Sequence, residues 1–161
     1  EHGATDTATV TVTVNGGSEV SQGKMTGGGN YQTGGGNNKK IYNWGFELRC
    51  STGGGHFNFH DEYNRLHINN FVFDSMTCTD EPGYDNGKNF DTVTFTGHDN
   101  NAQWGNGNVA VTIEVILTDQ GNDGKDDTIT IVVRRASNGQ VITQLNNVEL
   151  KGGNHVAHNT D

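Results

Sequence analysis

The chain has 161 residues, among them 24 Gly and 1 Pro, with 30% hydrophobic residues and a formal net charge of −9. So polar and glycine-rich a composition does not suit a helical bundle. The acidic balance, with no basic run longer than Lys39-Lys40 or Arg134-Arg135, argues against a nucleic-acid groove, which needs a track of cations along the phosphates.

The apolar residues sit in short Val/Ile/Phe-rich runs separated by Gly, Asn and Asp. That pattern fits an all-β antiparallel sandwich of jelly-roll type with long loops. Residues 1–16 open it with a cleanly alternating strand: Val10, Val12 and Val14 on one face, Thr9, Thr11 and Thr13 on the other, ending at Gly16-Gly17. So regular a strand must pair, because an isolated one leaves its backbone donors and acceptors without partners. Its own sheet, a preceding domain and a neighbouring copy are the three possible partners. A polar linker follows at 17–23, and the main domain runs over 24–161.

Within that domain Ile41–Cys50 is a strong strand, followed by His56–Asp61 with both Phe on one face. Arg65–Asp74 is a further strand region whose Asn69-Asn70 pair marks a bulge. Thr79–Asn89 is an acidic loop holding Pro82, and Phe90–Gly97 alternates strictly. Asn100–Asn108 reads as a loop carrying Trp104, and Val109–Thr118 with Thr128–Arg134 as a hairpin. Val141–Leu145, Asn147–Leu150 and a polar tail complete the chain, and no helix is expected. No run is apolar for long enough to span a bilayer and no signal peptide opens the sequence, so membrane insertion is not expected and the chain reads as a mature or excised product.

The hairpin loop Asp119–Asp127 holds four carboxylates, an Asn and two glycines within nine residues. Those are the hard oxygens and tight turns that calcium requires, with Asp119, Gly121, Asp123, Asp126 and Asp127 as the ligand set. Its start approaches an EF-hand opening, but Gly stands at the third position and no Glu at the twelfth; the alternative is a solvated acidic turn. Asp80–Asn86 is a lesser calcium candidate. His56 and His60 lie about 13 Å apart if the segment is a strand, too far to share an ion. A cross-strand pair such as His60 with His67 could still bind a metal, with surface histidines beside Asp61 as the commoner state. No nucleophile elbow, Ser/His/Asp set or acid/base carboxylate pair is present, so no enzyme is expected. The triplets Gly27–Gly29, Gly34–Gly36 and Gly53–Gly55 lack the Gly-Lys-Ser/Thr of a phosphate loop and suit bulges instead. Tyr42, Trp44, Tyr63 and Trp104, with Tyr31, could build a sugar-stacking platform or fill the core. Cys50 and Cys78 each end a β-like run. A disulfide between them is the preferred reading and implies an oxidising compartment, against two buried free thiols.

Two resemblances rest on these residues. Residues 1–15, with Gly3-Ala4-Thr5-Asp6-Thr7-Ala8-Thr9-Val10, resemble the final strand of a cadherin-like or PKD-type repeat of bacterial surface proteins. Residues 24 to about 155 resemble the post-COAP domain of secreted bacterial and archaeal proteins. The matching elements are Lys24–Gly29, Gly45–Leu48, Gly55–Asp61, Asp119–Gly121 and Asp127–Ile131. This resemblance implies an extracytoplasmic β-domain without assigned catalysis.

The leading expectation is therefore an extracellular structural module that polymerises with copies of itself. Residues 5–14 would insert in a neighbour, with Val10, Val12 and Val14 filling its core and calcium (Ca2+) stiffening the hairpin. The rival is a carbohydrate- or surface-binding adhesin module with polysaccharide as partner, in which residues 1–15 are the remnant of an upstream repeat.

Overall fold

Alternating side chains commit most of this chain to strands, and the strands commit it to one sheet. A computed structural model describes residues 17–84, 86–121 and 124–161. In chain order the strands are β1 (Ser18–Val20), β2 (Lys24–Thr33), β3 (Lys40–Arg49), β4 (Gly54–Asp61), β5 (Leu66–Ile68), β6 (Val72–Asp80), β7 (Thr92–Trp104), β8 (Gly107–Thr118), β9 (Thr128–Arg135), β10 (Val141–Glu149) and β11 (Gly152–His158). Among the described residues the one helical turn is a 3-10 turn at Gly36–Asn38, and no helix is long and apolar enough to cross a membrane.

The strands pair in the order β10-β9-β8-β7-β5-β4-β3-β2-β11, with β6 also on β7 and β1 on β6, every pair antiparallel. β10 and β11 stand at opposite ends of that path, yet only Leu150 and Lys151 separate them in the chain. The sheet must therefore curl until its ends meet, and it forms a half-barrel. The all-β, antiparallel expectation holds, and the layers that enclose the core come from this one curled sheet. Inward rows such as Tyr42, Trp44, Phe46 and Leu48 on β3 and Val111, Ile113, Val115 and Leu117 on β8 are buried and fill the concave side.

Three segments differ from the sequence expectation. Residues 17–23 are not a free linker: β1 pairs with Cys78–Asp80 of β6. The Asn100–Asn108 loop is a continuation of β7 through a bulge between Asp99 and Ala102, turning only at Gly105-Asn106. The polar tail contains β11, where His155 and Ala157 are fully buried.

The Asn69-Asn70 break places the functional surfaces. β5 and β6 lie end to end along the same side of β7, and the corner between them is held by the buried Asp99. Its Oδ2 accepts from the amides of Asn69 at 3.3 Å and Asn70 at 3.1 Å, and its Oδ1 from Asn101 at 2.8 Å. β6 turns off β4 there. A disulfide joins Cys50 at the end of β3 to Cys78 on β6, with Cα atoms 5.8 Å apart. Closing that loop is worth about 3–4 kcal/mol in the chain-entropy model.

Candidate interaction surfaces

The acidic hairpin loop is a clasp on the last strand. Among the described residues β11 pairs with β2 along one edge only, and amides on its other edge are met by side-chain acceptors. The buried Asp127 accepts the His155 amide at 2.7 Å through Oδ2 and the Gln120 amide at 2.9 Å through Oδ1. Asp119, also buried, accepts the Ala157 amide at 2.7 Å and the Gly121 amide at 3.1 Å. Asn86 adds a bond from its side-chain amide to Asp119 Oδ2 at 3.2 Å and one to the Phe90 carbonyl at 3.0 Å, tying in the preceding acidic loop. Of the expected calcium ligands, Asp119 and Asp127 are thus engaged with backbone amides and Asp126 is exposed. Gly121 lies in the turn and Asp123 falls outside the described residues. No group of three or more His, Cys, Asp or Glu side chains able to hold a metal is present among the described residues.

His155 sits beneath the clasp with no exposed surface. Its Nδ1 lies 2.8 Å from the Thr118 carbonyl oxygen, and its Nε2 lies 3.0 Å from the indole N–H of Trp44. A carbonyl only accepts and an indole only donates, so Nδ1 carries the proton and the ring is neutral. Burial drives its pKa down to about 4. The Asp91 carboxyl is pushed the other way, to about 6, chiefly by burial, although the Thr92 hydroxyl at 2.6 Å and the Glu81 amide favour its charged form.

The second surface is the outer edge of β6. β1 covers it only opposite Cys78–Asp80, so Val72–Thr77 has no strand alongside it among the described residues. Behind it stands an aromatic cluster in which Phe71 lies 5.4 Å from Phe57, 4.6 Å from Phe73 and 5.5 Å from Phe95, centroid to centroid. Gly97 makes room for it: a Cβ there would come within 2.4 Å of the Phe71 ring and 2.2 Å of the Val72 carbonyl. Phe71, Phe73 and Met76 are half-buried, and Val72 is 50% exposed. The Val10, Val12 and Val14 proposed for strand donation lie outside the described residues.

The third surface is a polar row on the convex face. Asn30, Asn43, His60, His67, Gln103 and Asn108 stand opposite one another in register across β2, β3, β4, β5, β7 and β8. None of the six is buried. His60 and His67 stack, with centroids 4.4 Å apart and planes 11° from parallel.

The expected aromatic platform is not assembled. Tyr42 and Trp44 are core residues, because the alternation of β3 points both inward. Tyr63 is exposed under Lys40, whose Nζ lies 4.5 Å above the ring, and Trp104 is half-buried beneath Arg135 at 4.6 Å. The residues that sequence reasoning missed are His155, Asp91 and Asp99. No local pattern marks them, since each acquires its role from strands distant in sequence.

No family model matches this chain, no curated protein matches its sequence, and no solved structure matches its fold.

Proposed function

We propose that this protein is an extracellular structural module that assembles with copies of itself by β-strand addition. Residues 5–14 of one copy are the donor, and the outer edge of β6 in the next is the acceptor. The observation that supports this reading is the stretch Val72–Thr77, which has no strand alongside it among the described residues and lies beside a half-buried aromatic cluster. An edge of this kind offers main-chain groups for pairing and apolar side chains for register. The donor supplies alternating Val and Thr, the matching chemistry. Intermolecular donation is favoured over self-pairing by direction. Ser18 pairs with Asp80, so Gly17 enters from beyond the Asp80 end of β6, opposite the end where Val72 stands. The disulfide fits a non-cytoplasmic compartment, and the post-COAP resemblance supports a secreted one. The role is structural, with no catalytic step.

The test uses a chain of residues 17–161, which retains every core residue among the described residues, from Val20 to Ala157. A synthetic peptide of residues 4–15 should bind it, slow amide exchange at Val72–Thr77, and lose binding when Val12→Asp is introduced. Exchange unchanged along β6 at saturating peptide would refute this acceptor. Repeating the titration in calcium and in chelator decides whether an ion at the β8–β9 loop contributes.

A second reading, polysaccharide binding, is favoured by the row of outward amides and imidazoles from Asn30 to Asn108. Planar amides and rings at the strand spacing of about 4.8 Å present paired donors and acceptors to the hydroxyls of an extended glycan. Glycan binding by the chain of residues 17–161 supports it; loss of binding on removing residues 1–16 does not.

A further inference from the structure

We infer that His60 and His67 form a two-imidazole site for a borderline divalent cation of the zinc, nickel or copper class. Imidazole nitrogen is the ligand these ions share, and a single ion needs both nitrogens at about 2.0–2.1 Å. Strand geometry denies that to most histidine pairs. His56 is four residues from His60 on the same strand, about 13 Å away. His98 is engaged by Asp74 at 3.0 Å, His158 by Thr26 at 3.0 Å, and His155 is buried inside. Only His60 and His67, among the described histidines, face each other across adjacent strands. Two nitrogens on one tetrahedral ion stand about 3.4 Å apart, a separation within reach of rings whose centroids are 4.4 Å apart, and the rings must rotate out of their stack so that both lone pairs point at the ion.

A second observation points the same way. Nε2 of His60 lies 3.2 Å from Oδ1 of Asn69. An amide oxygen accepts, so Nε2 carries the proton and the Nδ1 lone pair is left for a ligand. A metal-binding histidine is oriented in the same manner, its other N–H held by an oxygen. Asn69 is itself fixed, since its backbone amide donates to the buried Asp99. The corner that splits β5 from β6 thus also sets the tautomer of His60. Half-buried on the convex face, the pair leaves the remaining coordination positions to water. The site is independent of strand donation and of the β8–β9 loop.

The experiment titrates nickel chloride and zinc chloride into the chelator-treated full chain by calorimetry, and follows histidine resonances by NMR as nickel is added. One ion per chain is expected, with paramagnetic broadening first at His60 and His67. His60→Ala and His67→Ala should each weaken binding at least about tenfold, and Asn69→Ala should weaken it through His60 alone. His56→Ala and His2→Ala should leave it unchanged. Positions 56, 60, 67 and 69 lie outside the buried core, so their variants fold, and the NMR spectrum of each variant verifies this directly. Binding that survives both His60→Ala and His67→Ala, or no saturable uptake by the full chain, overturns the site.

Discussion

His155 and Asp91 have opposite effects on how stability responds to acid. His155 is neutral in the folded chain, with a pKa of about 4 against 6.5 when unfolded. Its contribution is complete above pH 6.5, declines as the unfolded chain takes up a proton, and is gone once pH has fallen through about 4. Asp91 has a folded pKa of about 6 against 3.8. Its contribution is present below pH 3.8 and is lost as pH rises through about 6. Each shift corresponds to roughly 3 kcal/mol, so between pH 6 and 4 the loss at His155 and the gain at Asp91 largely offset each other and their sum changes little. Asp91→Asn removes one side of that balance while keeping an acceptor for Thr92. Urea unfolding from pH 7 to 4 should show a shallow profile for the natural chain and a steep acid loss for Asp91→Asn. Parallel profiles would contradict the assignment. Neither residue was legible in the sequence. Asp91 opens an alternating strand and His155 lies in a polar tail, and it is chiefly burial that gives them these properties.

At the scale of elements, what could be read was what alternation dictates. Ile41–Cys50, Phe90–Gly97 and the hairpin Val109–Thr118/Thr128–Arg134 stand where their patterns place them, whereas Asn69-Asn70, read as a bulge within one strand, separates two strands, β5 and β6. β11 could not be read, because Gly-Gly-Asn-His-Val-Ala-His offers little apolar periodicity. Its place is set instead by two carboxylates on another hairpin. The same carboxylates belong to the set read as calcium ligands. Composition supplies the oxygens, and the tertiary path of β11 brings two backbone amides to them. Asp127→Ala leaves the buried His155 amide without its acceptor and should destabilise the chain by about 2–3 kcal/mol. Amide exchange at His155 and Ala157 should accelerate, and Asp127→Asn should recover part of the loss. Unchanged exchange at His155 would mean that the clasp does not hold β11.

At the scale of the molecule, the curl of the sheet brings β10 to β11, and beyond the corner at Asp99 the Val72–Thr77 edge of β6 has no partner strand among the described residues. The Cys50–Cys78 bond fastens the end of that edge to β3, so the proposed acceptor is tied to the rest of the sheet. The proposed donor rests on alternation that the sequence displays. The proposed acceptor could not be read there, because an edge is left over only once the strands around it have found their partners. The central claim, assembly through residues 5–14, is tested most directly by the molar mass of the full chain in light scattering, measured beside Val12→Asp and Val72→Lys. The account predicts large assemblies for the natural chain, and for both variants a mass near the 17.3 kDa of one copy. A natural chain that remains at one copy across concentration, or assemblies that persist in both variants, would contradict it.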